Sequence, residues 1–466
     1  MTEEFDLIVI GGGPAGEHAV GRATKSGLST LLVESELVGG ECSYWACMPS
    51  KTLIRPTEIL HVAGKVSGAR EAITKTVDVE AALARRNWMV SDWDDAGQVR
   101  WVADTGATLV RGRGRLVGER AVEVEAKDGT TARFEARRAV IVAVGSDPSV
   151  PPIPGLGETR AWTNREATSA TSPPESLVVL GGGPAGVELA QAWLRLGTAT
   201  VTIVEAEPRL LPNLEPFASE LLADAFVAEG IDLRLGRRAT RIERLGRDGQ
   251  VTVTLDDGVT ITGGELLLAL GRKARTASLN LEAFGLEPGA PLPVDSRLRV
   301  SGVQGEWLYA IGDANGLAAL THMGKYQARI VIGSILGEDA EDLADHGAIP
   351  SVVFTDPQVA SVGLTEAAAR AAGRAVQISK VKISDVSAAA IIGDGITGAA
   401  QLVVDQAEAR ILGATFVGPE VADWLHAATV AVVGRVAISE LRHAVAAFPT
   451  MSEVWLELVE SLFQTA

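Results

Sequence analysis

Two cysteines, Cys42 and Cys47, lie five residues apart in a chain that has no other cysteine. A thiol pair at short spacing can cycle between dithiol and disulfide, and Lys51, four residues further on, would lower the pKa of a neighbouring thiol. On an ideal α-helix, residues five apart point about 140° away from each other. A disulfide here therefore requires a distorted helix that brings the two Cα atoms within roughly 4.4–6.8 Å. Two unrelated buried thiols are the alternative.

A glycine-rich turn occurs twice in the sequence. The hexapeptide GGGPAG stands at 11–16 and again at 181–186, each time after a strand-like run and before a helix-like run. Such a turn lets the backbone approach a pyrophosphate and places it at a helix N-terminus, where free N–H groups favour anions. After about 20 residues a second apolar strand ends in an acid, Glu34 in the first copy and Glu205 in the second. The pattern predicts two dinucleotide-binding units.

The acid of the second copy bears on the choice of nicotinamide nucleotide. A carboxylate at Glu205 would accept hydrogen bonds from ribose hydroxyls and repel a 2′-phosphate, so NADH is favoured over NADPH. Arg209 lies four residues on and would moderate this preference if it reached the phosphate. A solvated loop charge is the alternative role for Arg209.

Composition excludes several classes of protein. The 466 residues are enough for about three domains. A net charge of −17 without clustered Lys or Arg argues against nucleic-acid binding. Two cysteines exclude a disulfide scaffold and a four-cysteine zinc site, so no metal site is expected. No apolar run reaches the ~18 residues of a membrane span, and the start MTEEFDLIVIGGG carries acid where a signal peptide carries base, so we expect a soluble, cytoplasmic protein.

The residue pattern in the rest of the chain predicts an α/β protein with a separate C-terminal part. Residues 99–150 and 231–275 are rich in alternating Val, Thr and Arg segments with an Asp-Gly turn in each, which is typical of small antiparallel sheets inserted in each unit. From about residue 350, runs such as SVVFTDPQVASVGL and RILGATFVG predict an α+β domain. That domain should end in a helix, SEVWLELVESLFQ.

Several further motifs resemble the flavin-dependent pyridine-nucleotide disulfide oxidoreductases, the family of dihydrolipoamide dehydrogenase, glutathione reductase and mercuric reductase. They are the Gly-Gly, Cys, four residues, Cys, Pro-Ser-Lys signature at 39–51, the strand ends Ala143-Val144-Gly145 and Ala269-Leu270-Gly271-Arg272, the segment Tyr309 to Asp313, and VVFTDPQVASVGLTE. The resemblance covers essentially the whole chain.

This resemblance implies a three-layer, glutathione-reductase-like α/β fold with two Rossmann-like dinucleotide-binding domains and an α+β C-terminal dimerisation domain. The implied domains are an FAD-binding domain at 1–154, an NAD(P)-binding domain at 155–275, a central segment at 276–347 that returns to the FAD domain, and a dimerisation domain at 348–466. A homodimer is expected, because in this family a C-terminal segment completes the partner's site.

The resemblance also implies roles for individual residues. Cys42 would be the interchange thiol that meets the substrate, and Cys47 the charge-transfer thiol against the flavin. Lys51, paired with Glu188, would stabilise charge on the reduced ring, and His322 would contact the flavin by its backbone. The residues implied for FAD are Gly11, Gly13, Pro14, Ala15, Gly16, Glu34, Gly40, Lys51, Gly114, Ala143, Gly145, Asp313, Ala319 and His322; those implied for NADH are Gly181, Gly183, Gly186, Glu205 and Gly271.

One segment departs from the family pattern. Typical members carry His-Pro-Thr-x-Ser-Glu near the C-terminus, and its histidine moves protons for the interchange thiol in the partner subunit's site. Here the segment is FPTMSE, with Phe448 in place of the histidine. General acid–base catalysis usually contributes ~10²–10⁴ in rate, so turnover of lipoamide or glutathione is expected to be poor.

Two other residues are candidates for the missing acid or base. Glu453 would normally orient the histidine. If it is buried beside an aromatic ring, desolvation would favour its neutral form and make it a substitute acid, whereas a hydrogen bond to another donor is the alternative. His443 is the histidine nearest to Phe448 in sequence, and a helix surface is its expected position.

The sequence therefore predicts an FAD-dependent NAD(P)H:disulfide oxidoreductase that passes hydride from NADH to FAD and electrons to the Cys42–Cys47 disulfide, with a small, non-standard disulfide or electrophile as substrate. One alternative is an NAD(P)H-dependent quinone or electrophile reductase, and another is a proton-poor site like that of 2-ketopropyl-coenzyme M oxidoreductase/carboxylase. A non-catalytic flavoprotein sensor is disfavoured by the intact cysteine pair, and mercuric reductase by the absence of a further C-terminal cysteine pair. Tyr44 and Trp45, inside the redox loop, either gate the substrate entrance or pack the redox helix.

Overall fold

Strands and helices alternate through most of the chain in the computed structural model, which describes residues 3–246, 249–344 and 347–464. In chain order the strands are β1 (Glu3–Ile10), β2 (Thr30–Glu34), β3 (Thr108–Arg111), β4 (Arg113–Gly118), β5 (Ala121–Glu125), β6 (Thr131–Val142), β7 (Ser146–Pro148), β8 (Ser176–Leu180), β9 (Thr200–Glu205), β10 (Asp232–Leu235), β11 (Ala239–Arg244), β12 (Val251–Leu255), β13 (Thr260–Gly263), β14 (Glu265–Leu268), β15 (Arg272–Ala274), β16 (Leu308–Ala310), β17 (Pro350–Val353), β18 (Gln358–Gly363), β19 (Val376–Lys382), β20 (Ala399–Asp405) and β21 (Arg410–Gly418). The α-helices are α1 (Pro14–Lys25), α2 (Gly40–Tyr44), α3 (Cys47–Gly64), α4 (Val79–Met89), α5 (Ala96–Asp104), α6 (Asn164–Ser169), α7 (Pro184–Arg195), α8 (Pro216–Glu229), α9 (Thr321–Leu336), α10 (Glu366–Ala371), α11 (Ser387–Ile392), α12 (Val421–Val433), α13 (Ile438–Leu441) and α14 (Val454–Gln464).

The chain divides into two compact units, each built from three segments. The first unit comprises Met1–Pro49, Arg85–Ser149 and Gly271–Asp345; the second comprises Ser50–Ala84, Val150–Leu270 and His346–Ala466. The chain thus leaves and re-enters each unit. The four-part domain division from the sequence stays a prediction.

The first unit is organised around one seven-stranded sheet with the order β3-β2-β1-β6-β5-β4, and β16 pairs with β6. Strands β1, β2, β3, β6 and β16 run parallel, whereas β4, β5 and β6 form an antiparallel extension closed by the turn at Asp128 and Gly129. The run Leu7 to Ile10 is almost wholly buried, as expected of a parallel strand covered on both faces. The predicted strand, turn, helix and strand, with the inserted sheet, are confirmed.

The described residues of the second unit form three sheets. The strands β10-β9-β8-β14 form a parallel sheet, β11-β12-β13 an antiparallel one with a turn at Asp257 and Gly258, and β17-β18-β21-β20-β19 a five-stranded antiparallel one. Trp193 on α7 and Phe226 on α8 are fully buried in the core beside the parallel sheet. The antiparallel sheet begins at Pro350 and the chain's last helix is α14, so the α+β part predicted from about residue 350 is confirmed.

In the part of the chain that the structure describes, no helix is both long enough and apolar enough to cross a bilayer.

Candidate functional site

The first glycine turn joins β1 to α1 with almost no free space. A Cβ atom on Gly11 would lie 2.3 Å from the carbonyl oxygen of Ala143, and one on Gly16 would lie 1.9 Å from that of Gly11. Gly11 also has a φ of +107°, which favours glycine. Helix α1 then begins at Pro14 without a side-chain cap, so its first N–H groups remain available to an anion.

The carboxylate of Glu34 braces this turn. Its Oε2 accepts a hydrogen bond of 2.6 Å from the N–H of Gly12, and its Oε1 accepts one of 2.7 Å from Glu36. Glu34 itself is buried. Each carboxylate oxygen can accept a second hydrogen bond, so a role toward ribose hydroxyls stays compatible with the bracing. That role is still a prediction, and the bracing was not foreseen.

The loop that carries the cysteines is attached to the same turn. The N–H of Gly39 donates a 2.7 Å hydrogen bond to the carbonyl oxygen of Gly12. Gly40 has a φ of +57°, and a Cβ atom there would lie 2.8 Å from the Cα of Gly13. The two backbones therefore approach as closely as glycine allows, and Cys42 follows two residues later.

The two cysteines lie on either side of a break between α2 and α3. The break occurs at Trp45, whose φ of −138° is not helical, so the helix is interrupted where a disulfide between the two cysteines would need a distortion. Cys42 and Cys47 are present as thiols that share a hydrogen bond, and the Oγ1 atom of Thr321 lies 3.4 Å from the Sγ atom of Cys47. The bond from Cys47 and then burial raise the pKa of Cys42 above its ordinary value, while Thr321 and Lys325 lower it.

Tyr44, inside the redox loop, packs within the first unit. Its side chain is 1% exposed, and a Cβ atom on Gly39 would lie 2.9 Å from its ring. Burial raises the pKa of Tyr44 to about 12. The ring of Trp45, which is less buried, lies 5.6 Å from that of Tyr44. For Tyr44 this supports the packing alternative over a gate.

Asp313 is held by a short chain of polar contacts in the first unit. The hydroxyl of Ser146 donates to Oδ2 of Asp313, and the Nε of Arg272 donates to that hydroxyl at 2.6 Å. The preceding Gly312 packs against Ala15 of α1, with a would-be Cβ contact of 3.4 Å. Asp313 is therefore placed relative to the first glycine turn, through partners that sequence reasoning missed.

Most of the other residues implied for FAD lie in the first unit, whereas Lys51, which was also implied for FAD, belongs to the second. Gly114 lies on β4 against Ile10, Gly145 follows β6 with a φ of +71°, and Ala319 and His322 are exposed at the start of α9. Gly271, implied for the nicotinamide nucleotide, also belongs to the first unit and precedes β15.

The second glycine turn repeats the first in geometry. A Cβ atom on Gly181 would lie 2.4 Å from the carbonyl oxygen of Ala269, and one on Gly186 would lie 2.0 Å from that of Gly181. Glu205 accepts hydrogen bonds of 2.6 Å from Gly182 and 2.7 Å from Glu207. Gly183 precedes α7 as an uncapped N-terminus. The second unit thus offers an equivalent cradle.

Lys51 and Glu188 meet in the second unit. The Nζ of Lys51 lies 2.6 Å from Oε2 of Glu188, and the N–H of Phe354 donates to Oε1 at 2.9 Å. The ammonium of Lys51 also lies 5.0 Å from the ring centroid of Phe354, within the range of a cation–π interaction. Glu188 is buried, so its charge is compensated by these donors. Phe354 lies in the motif VVFTDPQVASVGLTE, but its part in holding Lys51 and Glu188 was not predicted.

One face of α7 holds the segment that contains Phe354. Gln191, one turn after Glu188, accepts a 2.8 Å hydrogen bond from the N–H of Asp356 and donates one of 2.8 Å to its carbonyl oxygen. Arg195 donates to the carboxylate of Asp356 at 3.0 Å. Gln191 and Arg195 therefore hold the segment that contains Phe354. The N–H of Phe354 in turn donates to Glu188, the carboxylate that pairs with Lys51.

The three residues of the C-terminal segment that were predicted to act in the partner's site differ in their exposure. Phe448 lies between α13 and α14 with 74% of its surface exposed, and His443 is exposed in the turn after α13. Glu453 precedes α14, and its Oε2 atom is buried with no hydrogen-bond partner among the described residues. Their roles in a partner's site remain predictions.

The first turn fits the pyrophosphate of FAD. A Cβ atom on Gly13 would meet no protein atom within 4 Å, so there is space in front of the uncapped N–H groups of α1. Glu34 lies beside that space, and its carboxylate oxygens have further lone pairs that can accept hydrogen bonds from ribose hydroxyls. Among the described residues, no group of three or more His, Cys, Asp and Glu side chains could hold a metal ion.

Comparison with known proteins decides the family. The model of the family described as pyridine nucleotide-disulphide oxidoreductase matches residues 5–328, and that of its dimerisation domain matches residues 349–459. The chain belongs to the pyridine nucleotide-disulphide oxidoreductase family. As a member it is an FAD-dependent enzyme that uses NAD(P)H, its predicted fold class is confirmed, and the dimerisation domain supports a homodimer.

Individual relatives cover most of this disulphide oxidoreductase. It is 31% identical over 454 residues to a mercuric reductase of Bacillus cereus, and this alignment covers 97% of the chain and 70% of the relative. It is 32% identical over 470 residues to a dihydrolipoyl dehydrogenase of Chlorobaculum tepidum, covering 100% and 98%. Among solved structures, the Cu(II) complex of the HOCl-induced flavoprotein disulfide reductase RclA from Escherichia coli aligns with a TM-score of 0.87, 25% identity and coverage of 99% and 100%. LpdA from Mycobacterium tuberculosis aligns with a TM-score of 0.86, 26% identity and the same coverage.

Gly13→Ala is expected to weaken FAD binding by about tenfold, which corresponds to about 1.4 kcal/mol, without lowering thermal stability of the apoprotein. The reason is that the added methyl group meets no protein atom and enters the space in front of α1. The measurement is FAD affinity by fluorescence titration, with the apoprotein's Tm alongside. Gly97→Ala in α5 is the matched control, because a Cβ atom there also meets nothing within 4 Å. Equal FAD affinities for the two variants would contradict the placement.

Proposed function

We propose that this oxidoreductase is an NADH-preferring thiol–disulfide reductase whose substrate is not lipoamide or glutathione. The observation that carries the proposal is the thiol pair on a broken helix, anchored through Gly39 and Gly40 to the first glycine turn. Bound FAD would accept hydride from NADH and supply electrons for reduction of a disulfide. The protein's part is to place two thiols at that cofactor.

The chain's own residues support a division of labour. Cys42 follows the anchored glycines and would attack the substrate, while Cys47 shares hydrogen bonds with Cys42 and with Thr321. In the second unit, Glu188 and the ring of Phe354 hold the ammonium of Lys51 as a fixed positive charge. A fixed positive charge would favour negative charge on a neighbouring cofactor ring.

Phe448 is the reason to propose a non-standard substrate. A phenyl ring neither accepts nor donates a proton, so it cannot deprotonate Cys42 or protonate a leaving thiolate. Substrates whose leaving group is stable as an anion, such as aromatic disulfides, need little proton donation. We therefore propose that this enzyme prefers disulfides with acidic leaving thiols.

The preference for NADH is supported by the contacts of Arg209. Its Nη2 atom donates to the carbonyl oxygens of Pro212 and Leu214, at 2.5 and 3.1 Å, which turns this group toward the backbone. Glu205 lies at the turn and accepts hydrogen bonds from two backbone N–H groups.

Glu205→Gln is expected to improve binding of NADPH relative to NADH about fivefold, because one charge repulsion at close range in a hydrated site is worth about 1 kcal/mol. The amide oxygen can still accept the hydrogen bond from Gly182, so the turn keeps that bond and loses only the one from Glu207. The measurement is the ratio of the two Kd values. Glu207→Gln serves as the control, since its side chain is 54% exposed and only its backbone contacts Glu205. An unchanged ratio in Glu205→Gln would rule out this basis for the preference.

The proposed function is tested by anaerobic reduction with NADH. A long-wavelength absorption band between the Cys47 thiolate and the flavin is expected after one equivalent, followed by reoxidation when an aromatic disulfide is added. Failure of NADH to bleach the flavin would refute the proposal and favour a non-catalytic flavoprotein.

A quinone or electrophile reductase is a second candidate, favoured by the exposed, apolar Phe448, because quinone reduction needs no protonated thiol leaving group. It differs from the main proposal in predicting turnover that survives loss of Cys42.

A further inference from the structure

The backbone between α4 and α5 has an unusual conformation. Three successive residues that are not glycine, Ser91, Asp92 and Trp93, have φ values of 49°, 50° and 58°. The left-handed region costs free energy for such residues, so a run of three persists only where contacts with the surrounding structure enforce it. The 91–95 segment belongs to the first unit, as do both cysteines.

Contacts of the 91–95 segment reach the cysteine loop on both sides of the anchored glycines. The indole Nε1–H of Trp93 donates a 3.2 Å hydrogen bond to the carbonyl oxygen of Tyr44. The carboxylate of Asp95 accepts a 2.7 Å hydrogen bond from the N–H of Val38. The two glycines, which bind the first glycine turn, lie between these contacts in the sequence. The loop is therefore held both by that turn and by the 91–95 segment.

The carbonyl that Trp93 binds lies inside the loop that joins the two sulfurs. Tyr44 is the last residue of α2, and it lies between Cys42 and Cys47 in the sequence. The last carbonyls of a helix have no partner within the helix, and the indole N–H supplies one here. The helix is interrupted at the next residue, Trp45. Trp93 thus fixes the backbone at the break between the two cysteines.

The ring of Trp93 is itself held by a buried cation. The guanidinium of Arg86, near the end of α4, lies 5.3 Å from the ring centroid, within the range of a cation–π interaction. Arg86 is 1% exposed, and its Nε donates a 2.8 Å hydrogen bond to the side chain of Asn87. Because this cation is buried among fixed neighbours, the indole beside it keeps its direction toward the carbonyl of Tyr44.

We propose that Trp93 is a positioning residue for the Cys42–Cys47 pair, and that its indole N–H favours the disulfide over the dithiol by holding the loop between the two sulfurs. The proposal rests on the proposed function only in taking these cysteines as the redox pair. The two thiols already share a hydrogen bond, so formation of the disulfide needs only a small movement. A loop that is already held loses less conformational freedom on closure than a free loop does, which stabilises the disulfide.

The test is the equilibrium of the FAD-loaded enzyme with dithiothreitol in the absence of oxygen. The S–S bond between Cys42 and Cys47 breaks and that of cyclic dithiothreitol forms, with transfer of two electrons and two protons. Trapping with N-ethylmaleimide and the mass of the intact chain give the dithiol fraction, because the chain has no other cysteine.

Trp93→Phe removes the N–H group and keeps an aromatic ring beside Arg86. The equilibrium should shift about threefold toward the dithiol, at the lower end of what one hydrogen bond contributes, and this corresponds to a potential about 14 mV less negative. Asp95→Ala breaks the contact with Val38 and should shift the equilibrium in the same direction. It keeps the test decisive if Trp93→Phe does not fold.

Two further variants are controls. Asp92→Gly should stay within about 1.5-fold of the wild-type equilibrium, because glycine adopts the left-handed conformation without strain. Trp88→Phe, which removes an indole N–H on α4 from a side chain that is 67% exposed, should also stay within about 1.5-fold.

The possible failures can be told apart. An unchanged equilibrium in both Trp93→Phe and Asp95→Ala, or a shift toward the disulfide, would overturn the proposal. An equal shift in Trp88→Phe would also overturn it, because the effect would not come from the contact with Tyr44. A wild-type enzyme that forms no Cys42–Cys47 disulfide at any ratio of oxidised to reduced dithiothreitol would instead overturn the proposed function.

Discussion

Cys42→Ser is expected to lower the rate of disulfide reduction at least about 10³-fold, while reduction of the flavin by NADH stays within about threefold of wild type. A serine hydroxyl is scarcely ionised at neutral pH and is a weak nucleophile without an adjacent base. Cys42 follows the anchored glycines by two residues, whereas Cys47 begins α3; Thr321 is a hydrogen-bond partner of both sulfurs. Loss of Cys42 should therefore remove attack on the substrate and leave Cys47 in place.

The measurement combines steady-state reduction of an aromatic disulfide with stopped-flow reduction of the flavin. Ser43→Ala is the neighbouring control, since it removes a hydroxyl one residue away without touching a thiol. Disulfide turnover that survives Cys42→Ser would contradict the thiol mechanism. Quinone turnover that survives, with disulfide turnover lost, would show that both activities exist at separate steps.

Phe448→His is expected to raise kcat/KM toward small aliphatic disulfides about 10²-fold, at the lower end of what general acid–base catalysis contributes. Phe448 is 74% exposed, and an exposed substitution usually changes stability by no more than about 0.5 kcal/mol, so the variant should fold. The gained activity should follow the ionisation of an imidazole, with an inflection near pH 6.5 that the wild type lacks.

The control for this substitution is Phe448→Leu, which removes the ring without adding a base. A gain in Phe448→His alone would identify proton transfer as the limiting deficit. An equal gain in both variants would show that the phenyl ring obstructs the substrate. No gain in either would contradict the proposal that the missing base sets the substrate preference.

Elements defined by local sequence were predicted well. Both glycine turns, the strands before them and the acids after them were recognised, because a tight turn, a buried strand and a helix start each depend on residues within about 25 positions. The α+β texture after residue 350 and the helix α14 were recognised for the same reason. The spacing of the two cysteines also indicated that a disulfide between them needs a distorted helix, and the structure has a break between α2 and α3 at Trp45.

Contacts between distant segments could not be predicted in the same way. The sequence alone determined the residue types that this oxidoreductase brings to its cofactors and to its thiols. Only the tertiary structure decided that Glu34 and Glu205 brace their own turns and that Phe354 and Gln191 position the partner of Lys51. It likewise brought Trp93 to the carbonyl of Tyr44, 49 residues earlier in the chain. The physical reason is that hydrogen bonding and charge act over a few ångströms in space, and packing of the helices and sheets sets which side chains come that close.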